Sequence, residues 1–165
     1  MRTYKIAAIA VVALALAGCS SGHKTTVATS AGTVTTDTSS DSKTTTITTQ
    51  NGSLKMGQNA VDPASLGLPV YPGATTADGG GWSMQSKEGG GQVVTLTTTD
   101  SFDAVEAWYK SKMPADSEAM NMKSGDTASA IFKVGKDSDS DQSTIMIDGE
   151  KDKTTITLTH QKKGS

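Results

Sequence analysis

The sequence is short of the residues that usually mark a catalytic centre. It holds one cysteine, Cys19, and two histidines, His23 and His160. A single thiol excludes an intramolecular disulfide. His160 has no cysteine or second histidine nearby in sequence to complete a zinc set, so it reads as a strand-end histidine. The same scarcity argues against a hydrolase, which needs a nucleophile beside a base. Aromatics make up only 4% of the chain, and no basic run is interleaved with them, so nucleic acid is not an expected partner. The glycine runs 79–81 and 89–91 lack the Lys-Ser/Thr of a phosphate-binding loop and open no helix, so they read as turns. The longest apolar run, Ile6 to Leu16, falls short of the about 20 residues needed to span a bilayer comfortably.

That short run has its own meaning. Arg2 and Lys5 precede it, giving the charged and apolar regions of a secretory signal. Leu16-Ala17-Gly18-Cys19 follows, and this tetrad resembles the lipobox of bacterial lipoproteins. The resemblance implies cleavage after Gly18, a diacylglycerol thioether on Cys19 and further acylation of the new α-amine. Two or three acyl chains hold firmly where one gives marginal binding. Ser20 stands where many Gram-negative lipoproteins retained in the inner membrane carry aspartate. The implied location is therefore the outer membrane facing the periplasm in a Gram-negative cell, or the outer face of the cell membrane in a Gram-positive one.

The whole chain is rich in Thr, Ser and Gly, with a net charge of −2. Residues 1–18 are expected as the signal peptide and 19–45 as the lipidated cysteine with a Thr/Ser-rich tether. Residues 46–67 are expected as a β-hairpin and linker, 68–161 as a small α+β domain, and 162–165 as a tail. Asn51-Gly52 suits a tight turn because both positions tolerate positive φ. Centring the hairpin there pairs Thr49 with Leu54 and Ile47 with Met56, with all four side chains on one face. A strand around Val34 could pair back on Ile47.

In the domain, a Gly-rich loop from Lys87 to Gly91 separates two apolar segments. Pairing Met84 with Val94 and Trp82 with Leu96 puts four apolar side chains on one face. Asp100 is the expected N-cap of a helix in which Phe102, Val105, Trp108 and Tyr109 recur at helical spacing, closed by Pro114. Met120 and Met122, then Ala130, Phe132 and Val134, alternate on either side of a Gly125-Asp126 turn. Ile145, Ile147, Ile156 and Leu158 share a face, with Thr155, Thr157 and Thr159 opposite. The expected fold is α+β: an antiparallel sheet of about six strands with one helix on one face, preceded by the Thr/Ser-rich segment and its hairpin.

Residues Pro69 to Ala74, Thr97 to Asp100 and Phe102 to Lys110 carry a second resemblance, to small bacterial envelope domains with a Tyr-Pro-Gly-Ala entry and a Trp-Tyr helix. It implies a fold and an envelope location, and it transfers no activity.

Asp137-Ser138-Asp139-Ser140-Asp141 places oxygen ligands at alternate positions, as Ca²⁺ prefers, with Asp148 at the twelfth place of an EF-like loop. Gln142 replaces the required glycine and no helices flank the loop, so Asp137, Asp139 and Asp141 are weak metal candidates beside an acidic solvated loop. Glu106 and Asp103 form a conceivable acid pair, more simply a solvated helix face. Tyr71 and Trp82 could line a binding groove, with core packing the plainer reading. The functional expectation is a non-enzymatic envelope lipoprotein without cofactor. It would meet the membrane through its lipid and an envelope protein or polymer through its domain. A small-ligand or Ca²⁺-binding module is the second reading.

Overall fold

The computed structural model describes residues 23–29, 32–39, 43–135 and 140–164. Within them run β1 (His23–Thr29), β2 (Gly32–Ser39), β3 (Thr44–Thr49), β4 (Gly52–Gly57), β5 (Thr75–Ser86), β6 (Gly89–Thr98), α1 (Phe102–Lys112), β7 (Glu118–Ser124), β8 (Thr127–Val134), β9 (Asp141–Glu150) and β10 (Lys153–Lys163). A 3-10 turn, Pro63–Leu66, lies in the connection between β4 and β5. All the strands join one 10-stranded sheet in the order β1-β2-β3-β4-β5-β6-β10-β9-β8-β7, and every pairing is antiparallel. The chain climbs strand by strand to β6, crosses through α1 to the far edge, and returns until β10 closes against β6.

This architecture overturns the expected α+β domain of about six strands with a hairpin ahead of it. The described residues are β-rich with one 11-residue α-helix, and the hairpin β3–β4 is part of the sheet. Leu54 lies opposite Met84, and Met56 opposite Trp82. Residues expected as tether supply β1 and β2, with Thr36 opposite Ile47. The physical reason is backbone pairing. A free hairpin and a free β5 would each expose a row of N–H and C=O groups, and joining them satisfies both rows. Threonine favours extended backbone, but it lacks the apolar alternation by which a strand is recognised.

The core lies on one face of the sheet, under α1. Val94 and Leu96 of β6, Ile156 and Leu158 of β10, Ile145 and Ile147 of β9, and Ala130 and Phe132 of β8 are all buried there. Phe102, Val105 and Tyr109 of α1 pack down on them. Leu66, Leu68 and Tyr71 of the β4–β5 connection complete the same cluster. The helix begins at Ser101, whose side chain accepts from the Ala104 N–H, instead of at Asp100. Asp100 is engaged elsewhere, its carboxylate accepting from the Tyr71 hydroxyl at 2.8 Å. The Tyr-Pro-Gly-Ala entry and the Trp-Tyr pair are thus packing elements. Trp108 meets Tyr71 edge-on at 5.3 Å and Tyr109 at 4.9 Å, and the Tyr109 hydroxyl donates to the Pro69 carbonyl at 3.2 Å.

Register decides which side chains reach this core. In β9–β10, Ile147 faces Ile156 and Ile145 faces Leu158. Pairing Ile145 with Ile156, as their spacing suggests, would differ from this by an even displacement, so all four isoleucine and leucine side chains stay on the covered face. In β3–β4 the turn is Gln50-Asn51, with Thr49 opposite Gly52 and Ile47 opposite Leu54, again an even displacement. Gly52 does not serve a positive-φ turn there; a Cβ on it would run into the Gln85 carbonyl of β5.

The β5–β6 hairpin differs in kind. The chain reverses at Lys87-Glu88, where the Ser86 hydroxyl donates to the Gly89 carbonyl and accepts from the Glu88 N–H. Gly89–Gly91 therefore belong to the strand and not to a loop. Met84 pairs with Gly91, and Trp82 with Val93. This displacement from the expected register is odd, and an odd displacement exchanges the two faces of a strand. The four side chains expected on one face are divided. Val94 and Leu96 point into the core, while Trp82 and Met84 project from the opposite face, 37% and 46% exposed.

The sheet thus changes its apolar side partway across. From β6 to β8 the fully buried apolar residues lie under α1, which packs on β9 and β10. From β3 to β5 apolar side chains lie on the opposite face, uncovered by any helix or strand among the described residues, in the cross-strand rows Ile47–Leu54–Met84 and Met56–Trp82.

Candidate functional site

The uncovered face of β5, β6, β10 and β9 holds a groove of about 490 Å³ at the end of the β5–β6 hairpin. Its floor is the backbone of Gly89–Gly91, and Trp82 and Met84 stand along one side. On the other side lie Gln161 of β10 and Gln142 of β9, which face each other in one cross-strand row with Gly91. The glycines matter by what they omit. A Cβ on Gly91 would sit 3.4 Å from the Cη2 atom of Trp82 and 3.5 Å from its Cζ3 atom, so the indole lies across the strand where a side chain would otherwise stand. Backbone bonds fix the end of the groove: Gly164 N–H donates to the Glu88 carbonyl, and Lys163 N–H to the Ser140 carbonyl.

Charges of both signs meet at this end of the sheet, where Asp141 of β9 stands opposite Lys162 of β10. Lys162 and Lys163 line the groove with Glu88, and Lys87 sits in the turn. Among the described residues, the ion pairs involve none of Lys87, Lys162 and Lys163, and the pair at this end joins His160 to Asp141.

The titratable residues singled out from the sequence are placed apart from this groove and from one another. Glu106 is buried on α1, where it pairs with Lys110 at 2.6 Å and accepts from the Asn121 amide of β7. Asp103 pairs instead with Lys123, also at 2.6 Å, so the two acids do not act together. Lys110 reaches Glu118 as well, at 3.2 Å. Hydrogen bonds donated by Lys110 to Glu106 and then to Glu118 hold its ammonium above its ordinary pKa. Burial alone would raise Glu118, but the Asn121 amide and Lys110 outweigh it and leave its carboxyl below the usual range. This cluster clamps α1 to β7. Burial pushes the Tyr109 phenol well above its ordinary value, and the Asp100 carboxylate does the same for Tyr71, principally through their hydrogen bond.

His160 lies on β10 with its Nδ1 atom 3.0 Å from the Ser143 hydroxyl and 3.5 Å from Asp141, and His23 opens β1 far across the sheet. Of the acidic run, Asp137 and Asp139 lie outside the described residues. Asp141 begins β9 opposite Lys162. Asp148 accepts from the Ser129 hydroxyl at 2.8 Å within the sheet. No group of three or more His, Cys, Asp or Glu suited to a metal occurs among the described residues. Cys19 and residues 1–18 lie outside the described residues. Among those described, no helix is long and apolar enough to cross a membrane.

Tyr71 and Trp82, considered together from the sequence, are separated: Tyr71 is core and Trp82 is surface. The groove itself was hidden because its two amides and its tryptophan come from three distant stretches of chain. The one local signal was the glycine run 89–91, which reads equally well as a turn.

No protein family, curated protein or solved structure matches this chain.

Proposed function

We propose that the chain is a lipid-anchored envelope protein whose sheet binds a partner on its uncovered face and performs no catalysis. The observation that carries the binding reading is the placement of Trp82 and Met84 outside the core, on a face that no helix or strand among the described residues covers. Exposed tryptophan and methionine grouped beside polar side chains mark interaction surfaces more often than chance. The titratable groups that chemistry would require are instead engaged in holding elements together, Glu106 with Lys110 and Asn121, and His160 with Ser143.

The anchor rests on Leu16-Ala17-Gly18-Cys19. β1 begins at His23, and four residues of extended chain span at most about 14 Å. An acyl group on Cys19 would therefore hold the β1 edge close to the headgroups. The experiment is replacement of Cys19 by Ser, with membrane fractionation and mass measurement of the N-terminal peptide. The expected result is loss of the acyl mass and release into the soluble fraction. An unacylated native Cys19, or a variant that stays on the membrane, refutes the anchor.

A further inference from the structure

Resting on the reading of the uncovered face as a binding surface, we infer that its occupant is a second copy of this chain, the two sheets packing apolar side to apolar side as a closed dimer. The apolar residues that the fold leaves exposed are not scattered. Met56, Trp82, Met84, Met120, Met122 and Met146 are each at least 37% exposed, and cross-strand register puts all six on one face. Met56 stands beside Trp82, and Leu54 beside Met84. Trp82 is followed across the sheet by Val93, Thr159 and Thr144. The next row runs Thr157–Met146–Ile131–Met120, with Met122 two residues further along β7. The strands away from α1 repeat the pattern. In β1 to β4, Val27, Val34, Ile47, Leu54 and Met56 all point to this face, whereas Lys24, Asp37 and Lys55 share one row with Thr46 on the other. Antiparallel strands that sort apolar from polar in this way are built to be covered on the apolar side.

The chain has no second sheet of its own to supply that cover among the described residues, because every strand belongs to this one. The stretches 30–31, 40–42 and 136–139, which lie outside the described residues, are too short to form a layer. The apolar run Ile6–Leu16 departs with the signal peptide in the anchored form. A copy of the chain brings a matching layer. In a two-fold dimer the same patch meets itself, so a self-pairing face must carry little charge near its centre. Among the described residues, the rows through Met84, Trp82 and Met146 from β3 to β7 hold one charged side chain, Lys133 beside Thr144. Depletion of charge with enrichment of tryptophan and methionine marks the centre of interfaces, and thioethers adapt their shape to what they pack against. The area suffices. Eight strands about 4.8 Å apart, crossed by three rows about 7 Å apart, make a patch of roughly 800 Å², the share that each partner gives to a stable interface. Trp82 lies across the strand over Gly91, so its indole does not hold a second sheet beyond the about 10 Å at which sheets stack. A lipid surface is the less suited occupant, because faces that lie on bilayers are rich in Lys and Arg, and these rows carry a single lysine.

The test is sedimentation velocity of the full chain, purified in mild detergent with reductant, over a range of concentrations. A dimer that dissociates on dilution is expected. Trp82→Lys and Met146→Lys each set like charges against one another near the centre of the pairing, and should raise its dissociation constant by about a hundredfold or more. Lys55→Glu, exposed on the opposite face, should pair as the parent does. Peroxide oxidation followed by peptide mass should be slower at Met56, Met84 and Met146 in the dimer than in the Trp82→Lys monomer, with Met113 of the core slow in both. Four results would each overturn the assignment: a monomer at every concentration, assembly that continues past the dimer, a dimer that both lysine variants leave intact, or pairing lost in a cooperatively melting Lys55→Glu. The wider reading is checked apart from this one. A purified monomer whose Met56, Met84 and Met146 are nonetheless protected in intact cells would keep the face as a binding surface with another occupant. Methionines oxidised in cells as fast as in the purified monomer would overturn the binding surface as well. Cys19→Ser should pair as the parent does, so failure of the anchor is read separately from both.

Discussion

Truncating Met84 and Leu96 to alanine, one at a time, tests the register on which the whole surface depends. Both residues lie in the β5–β6 hairpin, and both were expected to face one core. In the structure Leu96 is 1% exposed beneath α1, while Met84 is 46% exposed on the opposite face. A buried Leu→Ala change removes the transfer free energy of the lost methylenes and leaves a cavity, together costing about 2–5 kcal/mol. For Met84 water fills the space left behind, so no cavity forms. Only about half of a full side-chain transfer of about 1.5–3 kcal/mol is at stake, which puts the loss near 1 kcal/mol or below. Urea unfolding followed by far-UV circular dichroism would measure both, with the slope unchanged and only the midpoint moving. For a chain of this size about 1 kcal/mol shifts Tm by about 2–4 °C, so Leu96→Ala should melt roughly 10 °C lower and Met84→Ala within a few degrees of the parent. Equal losses for the two variants would mean that both side chains fill one core, and the odd register displacement would be refuted.

The clamp between α1 and β7 should make stability depend on pH in a defined direction. Glu118 has a folded pKa below its ordinary 4.5, so its contribution is present above that value and is lost as pH falls through the folded one. The Lys110 pKa is raised above 10.5, so its contribution is complete below 10.5 and fades as pH rises through the folded value. Glu118→Gln should flatten the acid limb of the melting-temperature profile, and an unchanged acid limb would remove Glu118 as its source. Tyr109→Phe should cost about 0.5–2 kcal/mol in urea unfolding, because the Pro69 carbonyl at 3.2 Å loses its donor in a buried position; a neutral result would show that water replaces the hydroxyl. Added Ca²⁺ should leave Tm unchanged, since Asp141 and Asp148 project from opposite faces of β9 and Asp148 is already bonded to Ser129. A clear upward shift in calorimetry would restore the acidic run as a metal site.

The chemistry written locally in the chain is legible without a structure. The helix from Phe102 to Lys112 and the strands around Ile145, Ile147, Ile156 and Leu158 show themselves through apolar spacing and flanking charges. The faces of β3–β4 and β9–β10 survive inexact pairing because an even displacement preserves alternation. Tertiary structure decided the rest. Threonine-rich β1 and β2 are strands because neighbouring backbones satisfy their hydrogen bonds, and that partnership leaves no trace in hydrophobic pattern. One hairpin turn, at Lys87-Glu88 instead of across the glycines, moved Trp82 from an expected core to the surface. It also converted Gly89–Gly91 from loop to groove floor. Strand identity is a property of a few adjacent residues, but strand partner and register are set by contacts between distant segments, and the candidate site is built from those contacts.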